Sequence, residues 1–490
     1  MSDFRLPAVA EIFCLAARLG SIAGTLTKPA ATCKTIQDSI SGESAVIYPD
    51  STFEFGNATH HWMSSSSQTP TCVLEPGSPE DLSIALQVVG CSRTPFAIMS
   101  GGHASNPGFS STTGVHISLK RFDQFELSED NSTLEVGSGW TWADLYVKLE
   151  PTGYGVVGGR TTGPAVGGFS TGGGYSWKAN QFGLTCDTVK AYNVVLPNGT
   201  FTRASATEQQ DLFFALKGGL NRFGVVTSLE LQTHKQPPKV YGGMTIYPED
   251  NIDAILNATA RFNSENEDDR AQIITILQAM KDFGTLGTVQ YFYDGATKPS
   301  SFGVFDGDDI KPAFSTVAGN QTFAQLVKSI PESPIVSPRG AFDSFSTTDL
   351  PYSFLLAIKG EFDMLRANMS SHSGQIVSYD IEPFMQYGKH ATDSAYPHDK
   401  SPLPLNLFFA WDSPADDEYW HTAMKDSIAR LKKFAVAEGI YDPDFTVYPN
   451  YAISNTTAEE LYGANTERLR EIRDRIDPER IMDLAGGFDI

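Results

Sequence analysis

Apolar positions along this chain switch repeatedly between helical and strand spacing. Ser78-Pro-Glu-Asp-Leu-Ser-Ile-Ala-Leu-Gln-Val-Val89 has helical spacing behind a capping serine, an early proline and two first-turn acids. The apolar run 96–99 predicts a buried strand. Residues 133–137 alternate with period two, and 141–149 return to helical spacing. Two strand patterns, 189–196 and 201–204, flank Pro197-Asn-Gly-Thr200, a hairpin signal. A helix over 211–216 and a strand over 225–233 follow. Earlier, a helix beginning near Lys34, then a loop and a strand, lead into Cys72-Val-Leu-Glu-Pro76, and a helix over 458–475 closes the chain. This pattern predicts an α+β fold. Composition shifts near Gln236-Pro-Pro-Lys239, and the stretch beyond it has no glycine-rich ligand loop. The expected organisation is an N-terminal segment over 1–32, a ligand-binding domain over 33–239, an inserted domain over 240–439 and a return to the first domain over 440–490.

At 490 residues the chain exceeds one ordinary core, which agrees with two domains. Its net charge of −22 argues against nucleic acid and anionic membranes as partners, and no apolar run reaches the length of a membrane span. A monomer acting on a small molecule is expected. Seven Asn-x-Ser/Thr sequons, at Asn57, Asn131, Asn198, Asn257, Asn320, Asn368 and Asn455, exceed the roughly two that ordinary composition would give. The excess favours a secreted glycoprotein. Residues 1–24, with Asp3, Glu11 and Arg18 in a modest apolar stretch, make a poor signal sequence and leave that expectation divided. Of five cysteines, Cys91 and Cys186 have apolar neighbours and read as buried thiols, although a pairing stays open. Cys14 lies in a segment not expected to be ordered.

Two glycine clusters carry the candidate chemistry. In the first, the 96–99 strand feeds Ser100-Gly-Gly-His103-Ala-Ser105, where paired glycines allow positive φ and bare N–H groups beside a histidine. The second runs from Gly155 to Tyr175 and includes Gly167, Gly168, Gly172 and Gly173, with apolar residues such as Val166 interleaved. That density reads as backbone laid against a flat or phosphorylated ligand; ligand-free tight turns are the alternative. Neither cluster has the dinucleotide fingerprint of a nicotinamide-binding domain, and no zinc-spaced cluster, phosphate-binding Walker loop or nucleophile elbow is present. No metal site is expected.

These two clusters, together with Phe182-Gly-Leu-Thr-Cys-Asp187, Tyr448-Pro-Asn-Tyr451 and Leu484-Ala-Gly-Gly-Phe-Asp-Ile490, resemble the vanillyl-alcohol oxidase / p-cresol methylhydroxylase superfamily. More narrowly, they resemble its fungal berberine-bridge-enzyme-like FAD-linked oxidoreductases, over nearly the whole chain. The resemblance implies a two-domain, PCMH-type FAD-binding fold whose inserted substrate domain is built on an antiparallel sheet. It also implies a Cys33–Cys72 disulfide.

The resemblance further implies covalent FAD attached through the His103 imidazole. Relatives often add a thioether from a cysteine where this chain has Thr161, and no cysteine lies between Cys91 and Cys186. Attachment through His103 alone is therefore expected. Met99 stands where relatives often carry Arg or Lys, so the pyrophosphate would rest on Ser100 and backbone N–H groups. Further FAD contacts are expected from Gly101, Gly102, Ala104, Ser105, Thr161, Val166, Gly167, Gly168, Gly172, Gly173, Tyr175, Val225 and Asn450. Pro164, with Val166 nearby, falls where relatives gate dioxygen.

Tyr448 and Tyr451 are the expected catalytic phenols. A tyrosine must be lowered from its usual pKa of about 10 to act as a base. Asn406 is expected to orient substrate, and His398 is a further candidate or a structural residue. The implied activity is an oxidase that takes a hydride from an alcohol, hemiacetal or similar carbon of a sugar or aromatic metabolite and reduces O2 to H2O2. A dehydrogenase or oxidative cyclase in secondary metabolism is the alternative.

Overall fold

The computed structural model describes residues 27–330 and 337–490. The expectations for residues 1–24 and Cys14 lie outside these residues. The first helix, Lys28–Ser39, takes in residues 28–32, which sequence reading had left in the N-terminal segment; Pro29 sits in its first turn, where a missing N–H costs nothing. Its Cys33 is joined to Cys72 on the strand Cys72–Glu75, the pairing expected from the family. Cys91 is also disulfide-bonded, which corrects its reading as a buried thiol. Cys91 is half-buried, near the end of its helix. Cys186 is the buried thiol expected, its pKa raised by burial.

Two sheets build the first domain. In one, the order is Ala45–Ile47, Cys72–Glu75, Val115–Ser118, Phe96–Met99, with the last two parallel and Phe96 opposite Val115. The helix Pro79–Ser92 packs here, its Ser78 hydroxyl accepting the Asp81 N–H at 3.3 Å and its Leu82, Ala85, Leu86, Val88 and Val89 fully buried. The other sheet is antiparallel, in the order Phe125–Leu127, Thr133–Gly137, Val225–Gln232, Val189–Val195, Phe201–Ser205. Strand Phe96–Met99 is buried at Phe96, Ala97 and Met99, and it delivers Ser100 to the rim of the domain.

Between Lys235 and Val240 the chain passes into an eight-stranded antiparallel sheet. Its central strands are Gly284–Tyr293, Ala271–Met280, Gly374–Ile381 and Leu403–Trp411, with Val240–Pro248 and Arg339–Thr347 outside them. Alternation gives the sheet two different faces. Val377, Tyr379 and Ile381, with Leu405, Leu407 and Phe409, pack with buried residues of the helices Tyr352–Arg366 and Asp417–Glu438. Each such aliphatic or aromatic side chain contributes about 1.5–3 kcal/mol on burial. The intervening positions, among them Ile276, Gln278, Ser378, Asp380, Asn406 and Phe408, look across at the first domain.

The return segment differs from the expected single helix over 458–475. Gly463, at φ 51°, separates Ala458–Tyr462 from Thr466–Ile476, and the first piece carries a Thr457/Glu460 capping box. A buried ion pair helps to hold the two domains together. His398 donates from Nε2 to Asp187 at 2.8 Å and from Nδ1 to the Tyr396 carbonyl at 2.8 Å. Both partners only accept, so the ring carries both protons. Burial opposes that charge, but Asp187 raises the His398 pKa above its ordinary value. Its stabilising contribution is thus present below the ordinary histidine pKa and is lost as pH rises through the raised value. Asp187→Asn strands this imidazolium and is expected to cost about 3–5 kcal/mol in urea unfolding at pH 6. An unchanged midpoint would remove the pair from the account of stability.

Candidate active site

A cavity of about 450 Å³ opens between the two glycine clusters and the polar-and-aromatic face of the large sheet. Steric fit explains why the clusters are glycine-rich where they meet. A Cβ on Gly101 would stand 2.9 Å from the Gly163 carbonyl, and one on Gly167 would stand 3.0 Å from Ser138 Cβ. Ser100 donates to the Ser138 carbonyl at 2.5 Å, fixing the end of the incoming strand. Gly102, at φ +66°, reverses the chain so that His103 follows on the cavity wall, and its carbonyl accepts the Trp62 N–H at 3.0 Å. Trp62 then stacks on His103, with ring centroids 4.5 Å apart and planes 9° apart. A Cβ on Gly168 would meet no atom within 4 Å, so that glycine leaves open space on the cavity wall.

Most of the expected cofactor residues converge here. The whole 100–105 segment lines the cavity, as do Thr161, Gly167, Gly168, Tyr175, Val225 and Asn450. Three expectations are corrected. Val166 is fully buried behind the wall, its N–H spent on the Trp140 carbonyl at 2.8 Å. Gly172 and Gly173 make room for side chains, not for a ligand. A Cβ on Gly172 would lie 2.0 Å from Asn450 Oδ1, and one on Gly173, at φ +114°, would lie 3.2 Å from Tyr448 Cε2. Pro164 lines the cavity, whereas His398 belongs to the buried pair with Asp187.

The catalytic phenols reach the cavity in unequal settings. The Tyr448 hydroxyl oxygen accepts N–H groups from Gly174 at 2.9 Å, Tyr175 at 3.3 Å and Asn450 Nδ2 at 2.9 Å. Burial nevertheless pushes its pKa up to about 12, against the lowering effect of those donors. Asn450 also donates to the Phe169 carbonyl, so it orients Tyr448. Tyr451 donates to Glu382 at 3.1 Å and accepts from Arg160 at 2.7 Å. Burial raises its pKa well above 10, with Arg160 opposing. In neither setting do the hydrogen-bond donors or Arg160 outweigh burial.

Four residues of the site escaped sequence reading: Trp62, Arg160, Asp380 and Glu382. Arg160 bridges Glu382 through two hydrogen bonds of 2.5 and 3.2 Å, and both side chains are at least nine-tenths buried. Burial disfavours the guanidinium charge, but Glu382 and Tyr451 hold it protonated. Asp380 accepts Ser378 Oγ at 2.7 Å and Asn406 Nδ2 at 3.0 Å. Burial raises its pKa to about 6. A signal existed for the acids, since Ser378-Tyr-Asp-Ile-Glu382 places two carboxylates at strand spacing on one face of an otherwise apolar run.

Flat, side-chain-free walls, a histidine at their junction and polar groups opposite define the site of an FAD-linked oxidoreductase. A family model for the FAD binding domain matches residues 70–205. The FAD-dependent monooxygenase macF of Penicillium terrestre is 31% identical over 437 residues, covering 86% of this chain and 81% of its own. The bifunctional solanapyrone synthase of Alternaria solani is 27% identical over 462 residues, covering 92% and 87%. Among solved structures, a xylooligosaccharide oxidase from Myceliophthora thermophila C1 in complex with xylobiose superposes with a TM-score of 0.74 at 21% identity, covering 94% of this chain and 98% of that one. The chain belongs to the berberine-bridge-enzyme-like FAD-linked oxidoreductases.

Proposed function

We propose that this chain is an FAD-linked oxidase of a hydroxyl-bearing, ring-containing substrate, with O2 as the electron acceptor and H2O2 as product. The observation that carries the reading is the aromatic and polar lining of the cavity around the glycine clusters. Trp62, Phe342, Phe408 and Tyr451 form a run of ring contacts along it, with centroid separations of 5.0 to 6.2 Å. Asp380, Asn406 and the Arg160–Glu382 pair supply polar groups beside that run. Such a surface suits an aromatic or other planar metabolite, and it can also stack a sugar ring.

The chemistry divides between the two walls. A bound FAD supplies the hydride acceptor. His103, held flat by Trp62, is the residue placed to anchor it, and attachment runs through this residue alone. The glycine segments would leave room for the FAD, and backbone N–H groups of the 100–105 segment would hold its pyrophosphate, since the Ser100 hydroxyl is spent on the Ser138 carbonyl. The aromatic run, with Phe342 and Phe408 on the facing sheet, excludes water and orients the substrate ring. Asn406 and Tyr451 direct the hydroxyl of the reacting carbon, while Arg160 and Glu382 keep Tyr451 in place. Seven sequon asparagines, all exposed or half-exposed, support a secreted glycoprotein, and no helix among the described residues is long and apolar enough to cross a membrane. The protein acts as a monomer on a small molecule, without a nucleic-acid partner.

A second reading draws on the solanapyrone synthase relative, in which oxidation would trigger ring closure in a secondary metabolite. Incubating the purified protein with benzylic alcohols, phenolic metabolites and oligosaccharides in a peroxide-coupled assay separates the two. Peroxide in one-to-one yield with a carbonyl product is the expected result. A cyclised or oxygenated product would move the assignment to the second reading, and a yellow protein that none of the panel reduces would deny both.

A further inference from the structure

Beyond the strand that carries Asp380, the large sheet presents a second polar band to which the reading above gives no task. Gln278, on Ala271–Met280, and Thr288 and Gln290, on Gly284–Tyr293, all line the cavity. Register groups them: Thr288 lies opposite Ile276 and Gln290 opposite Ile274, while Gln278 is two residues along from Ile276. Thr288 is 7% exposed and Gln290 9%, and among the described residues none of the three side chains has a hydrogen-bond partner in the protein. Burying an amide or a hydroxyl costs stability unless a partner completes it. These groups therefore mark a place where a ligand, or the water it displaces, supplies the missing partners. The surroundings restrict that ligand. Two strand spacings, about 10 Å, separate Thr288 from Asp380, with Ile276 between them. Met244 borders Gln290 on the outer side. The floor between the two polar bands is thus aliphatic, and the ring contacts gather instead around Trp62, Phe342 and Phe408. Charge is missing as well. Arg160 is the only Arg or Lys among the described residues that line the cavity, and it is committed to Glu382 through two hydrogen bonds.

We infer that Thr288, Gln290 and Gln278 form a distal specificity subsite, which takes an uncharged aliphatic arm of the substrate ending in a carbonyl about 10 Å from the reacting hydroxyl. This rests on the alcohol-oxidation reading above. It narrows the substrate from ring compounds at large to a ring-bearing alcohol with an oxygenated side chain. The arm lies over Ile274 and Ile276, where apolar contact replaces water. Its carbonyl oxygen has two lone pairs and accepts from Thr288 Oγ1 and Gln290 Nε2, while Gln278 offers a further donor for an oxygen along the arm. A second sugar ring fits this floor poorly, because it sets hydroxyls against the two isoleucines, where nothing completes them. A carboxylate at the end of the arm fits it no better, because the one cation of the cavity is already paired.

Binding alone tests this, so its failure is distinct from an empty peroxide screen. Four probes with one phenol head are titrated into the flavin-loaded protein at neutral pH while the flavin difference spectrum is followed. They are 5-(4-hydroxyphenyl)pentan-2-one, 4-pentylphenol, 4-(4-hydroxyphenyl)butanoate and 4-hydroxyphenyl β-D-glucopyranoside, whose arms are a ketone, an alkyl chain, a carboxylate and a sugar. The ketone is expected to bind about tenfold more tightly than the carboxylate, whose charge meets no counter-ion, and more tightly than the glucoside. In the double variant Thr288→Val with Gln290→Leu, the affinity ratio of ketone to 4-pentylphenol should fall about tenfold. The fall should come from weaker ketone binding, with 4-pentylphenol bound at least as well as by the wild type. Gln278→Leu should lower the ratio about threefold, and it serves if the double variant does not fold. A ratio unchanged by these substitutions, a carboxylate bound as tightly as the ketone, or a glucoside bound more tightly than it would overturn the assignment.

Discussion

His103→Ala protein, precipitated in acid, is expected to release all of its flavin to the supernatant, whereas the wild-type pellet stays yellow. The expectation follows from geometry and from what the chain lacks. His103 emerges at the junction of two glycine segments whose backbones approach so closely that a Cβ at Gly101 would clash with both Gly163 and Ala165. Trp62 stacks on the imidazole and fixes its plane, so the ring's orientation is set before any ligand arrives. A second, thioether anchor is not expected, because the cavity-lining Thr161 has no sulfur and the sequence has no cysteine between Cys91 and Cys186. Losing the one bond should therefore abolish attachment completely. It should also lower the reduction potential, because the bond withdraws electrons from the ring, and slow reduction by substrate by about tenfold, the equivalent of roughly 1.4 kcal/mol in the barrier. Intact mass gives the sharper measurement: the wild-type chain should carry the added mass of FAD and the variant none. A wild-type chain at its bare mass would remove the covalent link from the mechanism.

How much of this was legible depended on sequence separation. The 96–105 strand and turn is local, and its glycines, apolar run and histidine sit where the sequence suggests. The glycine cluster was harder to interpret. A glycine that admits a ligand and one that admits a side chain leave the same mark, so Gly172 and Gly173 were assigned to FAD although they accommodate Asn450 and Tyr448. Long-range pairings left no mark at all. Arg160 and Glu382 are 222 residues apart, and nothing near either one announces the other. Trp62 stacks on His103 from 41 residues away in the sequence, its backbone N–H donating to the Gly102 carbonyl. The basicity of the tyrosines was not legible for a different reason. The motif Tyr448-Pro-Asn-Tyr451 does bring two phenols to the cavity, but their basicity depends on burial, which belongs to the assembled sheet and not to the motif. Once that sheet is in place, desolvation outweighs three N–H donors at Tyr448, and the same burial raises the Asp380 carboxyl to about 6.

Glu382→Gln should damage both the fold and the reaction, and a second substitution should separate the two effects. Glu382 and Arg160 are buried partners from different domains, one at the end of a sheet strand and the other in the glycine cluster. Removing one charge leaves a guanidinium in a low-dielectric setting without its counter-ion, at an expected cost of about 3–5 kcal/mol in urea unfolding. Replacing both members by apolar residues of similar size, Arg160→Met with Glu382→Leu, removes the stranded charge, and comparable replacements elsewhere are neutral or stabilising. The double variant is therefore expected to recover most of the lost stability. It should not recover the reaction. Tyr451 is hydrogen-bonded to both members of the pair, and without them its phenol has nothing to hold it beside Asp380 and Asn406. Misplacing by about 1 Å a group that orients the reacting atoms can cost about 10²-fold. Flavin reduction by the best substrate of the peroxide screen should therefore stay about 10²-fold slow in the double variant. If its rate returns with its stability, the pair is only a bridge between domains, and the placement of Tyr451 must come from the aromatic wall instead.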